Sequence, residues 1–162
     1  MTIEAYSGKY DNEIISLILD IQNNEAKINL SIDEQPDLKN IAGYYQTGGG
    51  QFWIAVENER VVGTIGLMPA DNNCGILKKF FVRKEYRSKK LGLALYQKLL
   101  EYAKTKGIHT LILDTPSVAV QSHKFYEKAG FKRISKNELS TEYSYPDRNS
   151  YLYMLNILTS CK

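Results

Sequence analysis

At 162 residues, with 43% hydrophobic and 24% charged residues, the chain has the size and composition of one soluble globular domain. Its net charge of +3, from 21 basic and 18 acidic residues, is too small to predict a nucleic-acid partner. No apolar run is long enough to span a membrane, and Met1 to Tyr6 lack the pattern of a signal peptide.

The first third of the chain predicts one strand and two helices. Ile3 to Tyr6 reads as a strand, and Asn12 to Gln22 places apolar residues at helical spacing, with Asp11 or Asn12 as N-cap. A polar stretch up to Pro36 predicts a loop or a broken helix. A second helix is expected from Asp37 to Tyr45, because three consecutive glycines at 48–50 end it.

The middle of the chain predicts a hairpin, a strand and a long helix. Phe52–Val56 and Arg60–Leu67 read as antiparallel strands joined by the tight turn Glu57–Glu59. Gly75–Val82 reads as the next strand. The helix is expected from Ser88 to Thr105, with Ser88 as its N-cap and Gly107 just beyond its end.

The last third predicts a strand, a helix and two further strands. These are Thr110–Asp114, Val120–Ala129 closed by Gly130, Phe131–Ser135 and Tyr151–Leu158. A polar loop containing Tyr143, Tyr145, Pro146, Asp147 and Arg148 separates the last two strands. The order β-α-α-β-β-β-α-β-α-β-β predicts a mixed α/β fold with a crossover through the long helix.

The junction between residues 80 and 94 predicts an anion site. An apolar strand ends in a basic turn that opens directly into the long helix. Backbone N–H groups converge at such a helix N-terminus, where the helix dipole is positive. Arg87, Lys89 and Lys90 add positive charge, which suits a small polyanion such as a pyrophosphate.

Two motifs resemble those of the GCN5-related N-acetyltransferases. Tyr86–Leu95 resembles the family's acyl-CoA motif, Gln/Arg-x-x-Gly-x-Gly/Ala, with Arg87 at the first position and Gly92 at the last. Lys90 occupies the position of the first glycine, and we expect right-handed helical angles there, which lysine adopts freely. Phe125–Phe131 resembles the second signature, a tyrosine helix ending in Gly-Phe.

The resemblance implies the fold and the co-substrate. It implies a single domain over residues 1–162, with a central mixed sheet that splays in the middle and helices on both faces. Acetyl-CoA would be the co-substrate, and the acceptor a primary amine of a small molecule or a protein. The resemblance gives no nucleic-acid or membrane partner and leaves a homodimer open. Cys74 and Cys161 form no CxxC pattern, so we expect no disulfide framework, no metal site and a cytoplasmic location.

The resemblance also implies the site residues. The strand edge at Phe80, Phe81 and Val82 would hydrogen-bond the pantetheine arm, and an N–H at or near Phe81 would polarise the thioester oxygen. Tyr126 would protonate the departing thiolate. The pyrophosphate would bind the Arg87 side chain and the backbone amides of Ser88, Lys89, Lys90, Leu91, Gly92 and Leu93.

The residues leave the general base open. The strand from Gly75 to Val82 contains no carboxylate, although many family members have a Glu there. The remaining candidates are Asp71, Asp33, Glu34, Asp37, Asp114 or a water held by carbonyl groups; His123 and His109 are more typical of capping or surface positions. Three of these carboxylates, at 33, 34 and 37, either receive a cationic amine or belong to a solvated loop.

A second reading is a non-catalytic module that binds acyl-CoA and regulates a partner. The departure from the glycine pattern at Lys90 and the absence of a carboxylate on the strand favour it. The sequence argues against a nucleotide-binding P-loop, because GxxxxGK[ST] does not occur.

Overall fold

The computed structural model describes residues 1–139, 141 and 149–157. Its strands are β1 (Thr2–Ala5), β2 (Gln51–Glu57), β3 (Arg60–Ala70), β4 (Cys74–Val82), β5 (Thr110–Pro116), β6 (Lys132–Ile134) and β7 (Ser150–Asn156). Its α-helices are α1 (Asp11–Asp20), α2 (Leu91–Thr105) and α3 (Val120–Lys128). Residues 142–148, which include Tyr143, Tyr145, Pro146, Asp147 and Arg148 of the predicted polar loop, lie outside the described residues, as does Leu158, where a predicted strand ends.

The seven strands form one mixed sheet in the order β1-β2-β3-β4-β5-β7-β6. Among the described strand pairs only β4 and β5 are parallel, and α2 provides their crossover. Their pairing ends with Ile76 opposite Ile112, after three residue pairs. Beyond this point β4 continues to Val82 and β5 to Pro116, so the two strands leave a gap, which we call the splay. The predicted splayed mixed sheet is confirmed.

The helices cover both faces of the sheet. Along β2, Trp53 and Ala55 belong to the core under α2 and α3, whereas Phe52 and Ile54 belong to the core under α1. This alternation is what a strand produces when both of its faces are buried. On α2, Leu91, Leu95 and Leu99 are almost completely buried, as their spacing predicts, and the structure adds Ala103 to this stripe.

The segment between α1 and β2 differs from the prediction of a second helix. It forms a 3-10 turn at Pro36–Lys39 and a π-helical turn at Ala42–Gln46. Pro36 fixes the first turn, and Asn40 adopts a non-helical conformation (φ −152°) that separates the two. The three glycines follow directly, so the prediction was right about the end of the segment and wrong about its regularity.

Two predicted N-caps are wrong and two predicted helix ends are confirmed. Tyr10, not Asp11 or Asn12, is the N-cap of α1, and α2 begins at Leu91 after a 3-10 turn over Lys84–Lys89. Ser88 lies inside that turn and therefore caps nothing. Gly107 and Gly130 have φ of 71° and 100°, the left-handed conformation that ends a helix. No helix in the described ranges combines the length and apolarity that crossing a membrane requires.

Candidate active site

A β-bulge bends β4 where it leaves β5. Phe81 pairs with Thr64 and Lys78 with Gly66, so Lys79 and Phe80 both lie opposite Ile65. Lys79 has a left-handed φ of 54°, and the Thr64 hydroxyl donates to the Lys79 carbonyl oxygen at 2.7 Å. The bulge opens the strand edge toward the splay, which is a common position for bulges that aim functional groups.

The predicted edge residues line this bend. Phe80 packs with the aromatic rings of α3, and Phe81 packs into the core under α1. The Val82 carbonyl accepts a hydrogen bond from Arg87 Nε at 2.9 Å, so the last carbonyl of β4 already has a partner within the protein. The backbone around Phe80 and Phe81 is the part of the edge that faces the splay beyond the last pair with β5.

The N-terminus of α2 presents backbone N–H groups without a side-chain cap. Lys90 is the N-cap residue and has φ 59° and ψ 19°, which is left-handed. The expectation of right-handed angles at Lys90 is therefore wrong, and glycine is the residue that adopts this geometry without strain. The first intrahelical hydrogen bond described is Ala94 N to Lys90 O. The amides of Leu91, Gly92 and Leu93 precede it and point out of the helix end.

The basic side chains of the turn contact protein groups. Arg87 forms an ion pair with Glu25 at 2.7 Å, which links the turn to the π-helical turn Ile21–Glu25 that directly follows α1. The Lys89 ammonium lies 5.2 Å from the centre of the Tyr86 ring. A phosphate would therefore compete with Glu25 for Arg87, whereas the amides of α2 need no such exchange.

Gly92 has space that packing within the chain does not require. A Cβ at Gly92 would lie 3.6 Å from Phe80 Cζ and 3.9 Å from Val82 Cγ2, which are ordinary van der Waals contacts. The Leu91 side chain is buried, whereas Leu93 is 43% exposed beside it. The open surface above the helix N-terminus therefore suits a ligand that approaches the backbone closely.

Tyr126 lies beside the splay in a layer of aromatic rings. Its ring centre is 6.3 Å from that of Phe80 and 5.6 Å from that of Phe131, and the residue is 6% exposed. Burial, followed by the charge of Asp114, raises the pKa of the Tyr126 phenol well above its usual value. At neutral pH Tyr126 is a hydrogen-bond donor and not a base.

The candidate general bases differ in how far they lie from the splay. Asp71 lies in the β3–β4 turn at the paired end of β4, roughly 20 Å along the strand from the bulge. Asp33 is exposed and paired with Lys39 at 2.6 Å, and Glu34 binds Ser31. These three are far from the splay or belong to the solvated loop, which leaves Asp37 and Asp114.

Asp37 and Asp114 differ in burial and in their neighbours. Asp37 is buried and accepts a hydrogen bond from the Tyr45 hydroxyl at 2.6 Å, with Lys79 Nζ at 3.6 Å. Asp114 lies on β5 two residues beyond the last pair with β4 and is half-buried. Its charge acts on both Lys79 and Tyr126. Asp114 is therefore the candidate carboxylate whose charge reaches both the Lys79 ammonium and the Tyr126 phenol.

The two histidines occupy structural positions. His123 Nε2 lies 2.9 Å from the Pro116 carbonyl oxygen, and its ring stacks near Tyr151 with centres 5.0 Å apart. His109 Nδ1 lies 2.9 Å from Thr110 Oγ1 at the start of β5. Among the described residues, no group of three or more His, Cys, Asp or Glu side chains is placed to hold a metal ion.

Sequence reasoning missed Lys79 as a site residue. The chain around it, Lys78-Lys79-Phe80, carries no signal that distinguishes it from an exposed strand lysine. Its partners Gln35 and Asp37 lie more than forty positions earlier. Only the bulge, which depends on the pairing between β3 and β4, turns this side chain inward.

Comparison with known proteins shows which family has this architecture. The sequence model of the acetyltransferase (GNAT) family matches residues 15–131. A GNAT-family acetyltransferase from Staphylococcus aureus is 39% identical, with a TM-score of 0.93, and the match covers 96% of this chain and 98% of that one. A PaiA N-acetyltransferase from Thermoplasma acidophilum, solved in complex with coenzyme A, shares the fold at 20% identity, a TM-score of 0.73 and coverage of 96% and 99%.

One relative of known name is much longer than this chain. N-acetylaspartate synthetase from Danio rerio is 32% identical over 104 residues, which are 63% of this chain and 37% of that protein. The chain thus spans a little over a third of the length of this relative.

The splayed mixed sheet with helices on both faces is the fold of the acetyltransferases compared above. The chain belongs to the acetyltransferase (GNAT) family. The resemblance seen in the two motifs is confirmed.

Proposed function

We propose that this protein transfers an acetyl group from acetyl-CoA to a primary amine. The observation that carries the proposal is the adjacency of two features at one end of the sheet: the splay of β4 and β5, and the uncapped N-terminus of α2. The first can receive an extended thioester arm, and the second an anionic phosphate group. Both arise from the single β4–α2–β5 crossover.

The chain's own groups fit coenzyme A. The amides of Leu91, Gly92 and Leu93 would hold the pyrophosphate, with Lys89 and Lys90 supplying charge. Ser88 and Arg87 would complete the turn, and Arg87 would exchange Glu25 for phosphate. The backbone at Phe80, Phe81 and Val82 would hydrogen-bond the pantetheine arm, and an N–H at the bulge would polarise the thioester carbonyl.

Acetyl transfer requires that a proton be removed from the attacking amine and that a hydrogen bond be donated to the departing sulfur. The neutral amine attacks the thioester carbon, a C–N bond forms and the C–S bond breaks. The proton leaving the amine would pass to Asp114, directly or through water. Tyr126 would donate a hydrogen bond to the sulfur as negative charge develops, and its raised pKa keeps that hydroxyl protonated. The thiolate would finally take the Tyr126 proton, and the phenolate would regain a proton through water from the protonated Asp114. An amide and a free thiol then leave, and both residues return to their starting states.

The acceptor is proposed to be a primary amine of a small molecule or a protein. The name of the Danio rerio relative, N-acetylaspartate synthetase, indicates an acetylated amino acid as its product. Because this chain matches only part of that protein, the same acceptor does not follow for this chain. A cytoplasmic location and a homodimer are further proposals, which cell fractionation and light scattering test.

Release of free thiol from acetyl-CoA tests the proposal against a non-catalytic acyl-CoA-binding module. The assay compares acetyl-CoA alone with acetyl-CoA plus a panel of amino acids, polyamines and peptides. We expect one class of amine to stimulate thiol release in proportion to acetylated product. If acetyl-CoA raises the melting temperature and no amine stimulates release, the regulatory reading is correct and the transferase proposal is not.

A further inference from the structure

A buried ammonium group, that of Lys79, extends from the β4 bulge beside the splay and is not among the groups assigned above to acetyl-CoA. The Lys79 side chain is 11% exposed and starts from the β4 bulge, where its backbone is left-handed. Non-glycine residues in this conformation are strained, and such strain concentrates at functional sites. Thr64, itself fully buried, fixes the bulge through its hydrogen bond to the Lys79 carbonyl.

This ammonium group is held in place but is not fully paired. Gln35 Oε1 accepts a hydrogen bond from Lys79 Nζ at 2.8 Å, and Gln35 is itself fixed by reciprocal amide bonds with Gln22 at 2.8 and 2.9 Å. The nearer Asp37 oxygen is 3.6 Å away and already accepts the Tyr45 hydroxyl. An ammonium has three donors, and within the described residues Lys79 makes this one hydrogen bond of ordinary length.

The surroundings make this arrangement costly without a further partner. Burial lowers the pKa of the Lys79 ammonium, while the carboxylates of Asp37 and Asp114 oppose that effect. A desolvated cation with spare donors is stabilised by an anion that completes its hydrogen bonds. Asp114 lies across the splay on β5 and also acts on Tyr126, so a ligand between Lys79 and Asp114 would lie next to the proposed reacting centre.

We propose that Lys79 binds a carboxylate of the acceptor, so that the acceptor is a small amine with a carboxylate close to its amino group, as in an amino acid. Asp114 on the opposite strand then faces the amino end. This inference rests on the proposed acetyl transfer and adds the chemical class of its acceptor. Lys79 is the residue that determines specificity, and Gln35 and Thr64 are positioning residues.

A purely structural ion pair with Asp37 is the competing explanation. In that case Lys79 stabilises the fold, and its replacement lowers activity toward every amine by the same factor. A specificity role predicts unequal losses. The two explanations are therefore separated by the ratio of kcat/KM for two acceptors measured on the same sample, because the folded fraction cancels from that ratio.

The experiment compares amino acids with their own carboxamides, such as alanine with alaninamide and β-alanine with β-alaninamide. We expect the wild-type protein to prefer the carboxylates. Lys79→Met should reduce that preference by about 10- to 100-fold, the range for a hydrogen bond to a charged group. Lys79→Arg should keep part of it, because the positive charge remains. Lys104→Met, on the exposed last turn of α2, is the matched control and should change nothing.

A double variant guards against misfolding. Lys79→Met with Asp37→Asn removes both buried charges, so that no carboxylate is left unpaired, and should lose the same preference as Lys79→Met alone. Equal rates for acids and amides in the wild type, or equal losses in Lys79→Met, would overturn the inference and leave acetyl transfer standing. Absence of thiol release with every amine, acids and amides alike, would overturn both proposals together.

Discussion

Tyr126 is the side chain on which the proposed chemistry depends most directly. Tyr126→Phe removes one hydroxyl and keeps the ring between Phe80 and Phe131, so the fold and CoA binding should survive. The kcat should fall by about 10²- to 10⁴-fold, the usual contribution of a positioned proton donor. Steady-state kinetics at saturating acetyl-CoA measures the change.

A neighbouring tyrosine provides the control for this variant. Tyr153 belongs to the same aromatic layer, and its hydroxyl donates to Glu127 at 2.8 Å. Tyr153→Phe should leave kcat nearly unchanged. An unchanged kcat in Tyr126→Phe as well, with chemistry shown to limit turnover, would reduce Tyr126 to a packing residue.

Removing the Tyr96 hydroxyl should stabilise the protein. Its hydroxyl is buried between α2 and α3 and has no hydrogen-bond partner among the described residues. Tyr96→Phe should therefore raise the free energy of unfolding by about 1 kcal/mol, because an unpaired buried hydroxyl is removed. Tyr102→Phe should lower it, because the Tyr102 hydroxyl donates to the carbonyls of Gly49 and Gly50. Urea denaturation compares the two, and a loss of stability in Tyr96→Phe would show that this hydroxyl has a partner.

At the scale of elements, the N-terminus of α2 carries the cofactor prediction. Gly92→Ala should fold normally, since the added Cβ makes only ordinary contacts with Phe80 and Val82. The same methyl group would intrude on an anion at the helix N-terminus and should weaken CoA binding, and Gly92→Val should weaken it further. Thermal shift at fixed CoA concentration measures this; wild-type protein should gain about 2.7 kcal/mol at 100 Kd. Equal shifts in all three proteins would place the phosphates elsewhere.

The elements also show what local sequence determines. The hairpin turn at Asn58 and Glu59 and the helix ends at Gly107 and Gly130 were predicted because each depends on a few adjacent residues. The left-handed angles of Lys79 and Lys90 were not, because lysine does not prefer them. Lys79 adopts them at a bulge that only the pairing with β3 creates.

The candidate site likewise contains residues that sequence motifs indicate and residues that only the folded structure brings together. The anion turn and Tyr126 were found through motifs that are contiguous in sequence. Lys79, Gln35 and Asp37 meet across more than forty positions, so neither periodicity nor spacing indicates their contact. The choice of Asp114 among the carboxylates likewise required knowing where β4 and β5 separate.

For the whole molecule, buried tyrosines predict how stability depends on pH. Burial raises the pKa of Tyr96 to about 12 and raises those of Tyr45 and Tyr126 as well, against 10.0 in the unfolded chain. Their contribution is fully present below pH 10 and is lost as the pH rises toward 12. Each phenol whose pKa is higher in the folded protein than in the unfolded chain adds to this loss of stability above pH 10.

The lowered pKa of Lys79 has the opposite effect on how stability depends on pH, and it comes from one group only. Its lowered pKa means that the folded protein binds fewer protons than the unfolded chain below pH 10.5, so this one group favours folding as the pH rises. Three buried tyrosines outweigh it above pH 10. Urea denaturation from about pH 9 to pH 11, followed together with phenolate absorbance, should show falling stability. Constant stability over this range would show that these phenols ionise freely in the folded protein.

A crystal structure of the protein with coenzyme A would test the proposed binding of the co-substrate. We expect the pyrophosphate at the amides of Leu91, Gly92 and Leu93, and the sulfur in the splay between β4 and β5, within reach of the Tyr126 hydroxyl. We also expect the Lys79 ammonium to stay clear of the cofactor and to face the acceptor side. Coenzyme A bound away from the splay, or phosphates held on Lys79, would show that the proposed site is wrong.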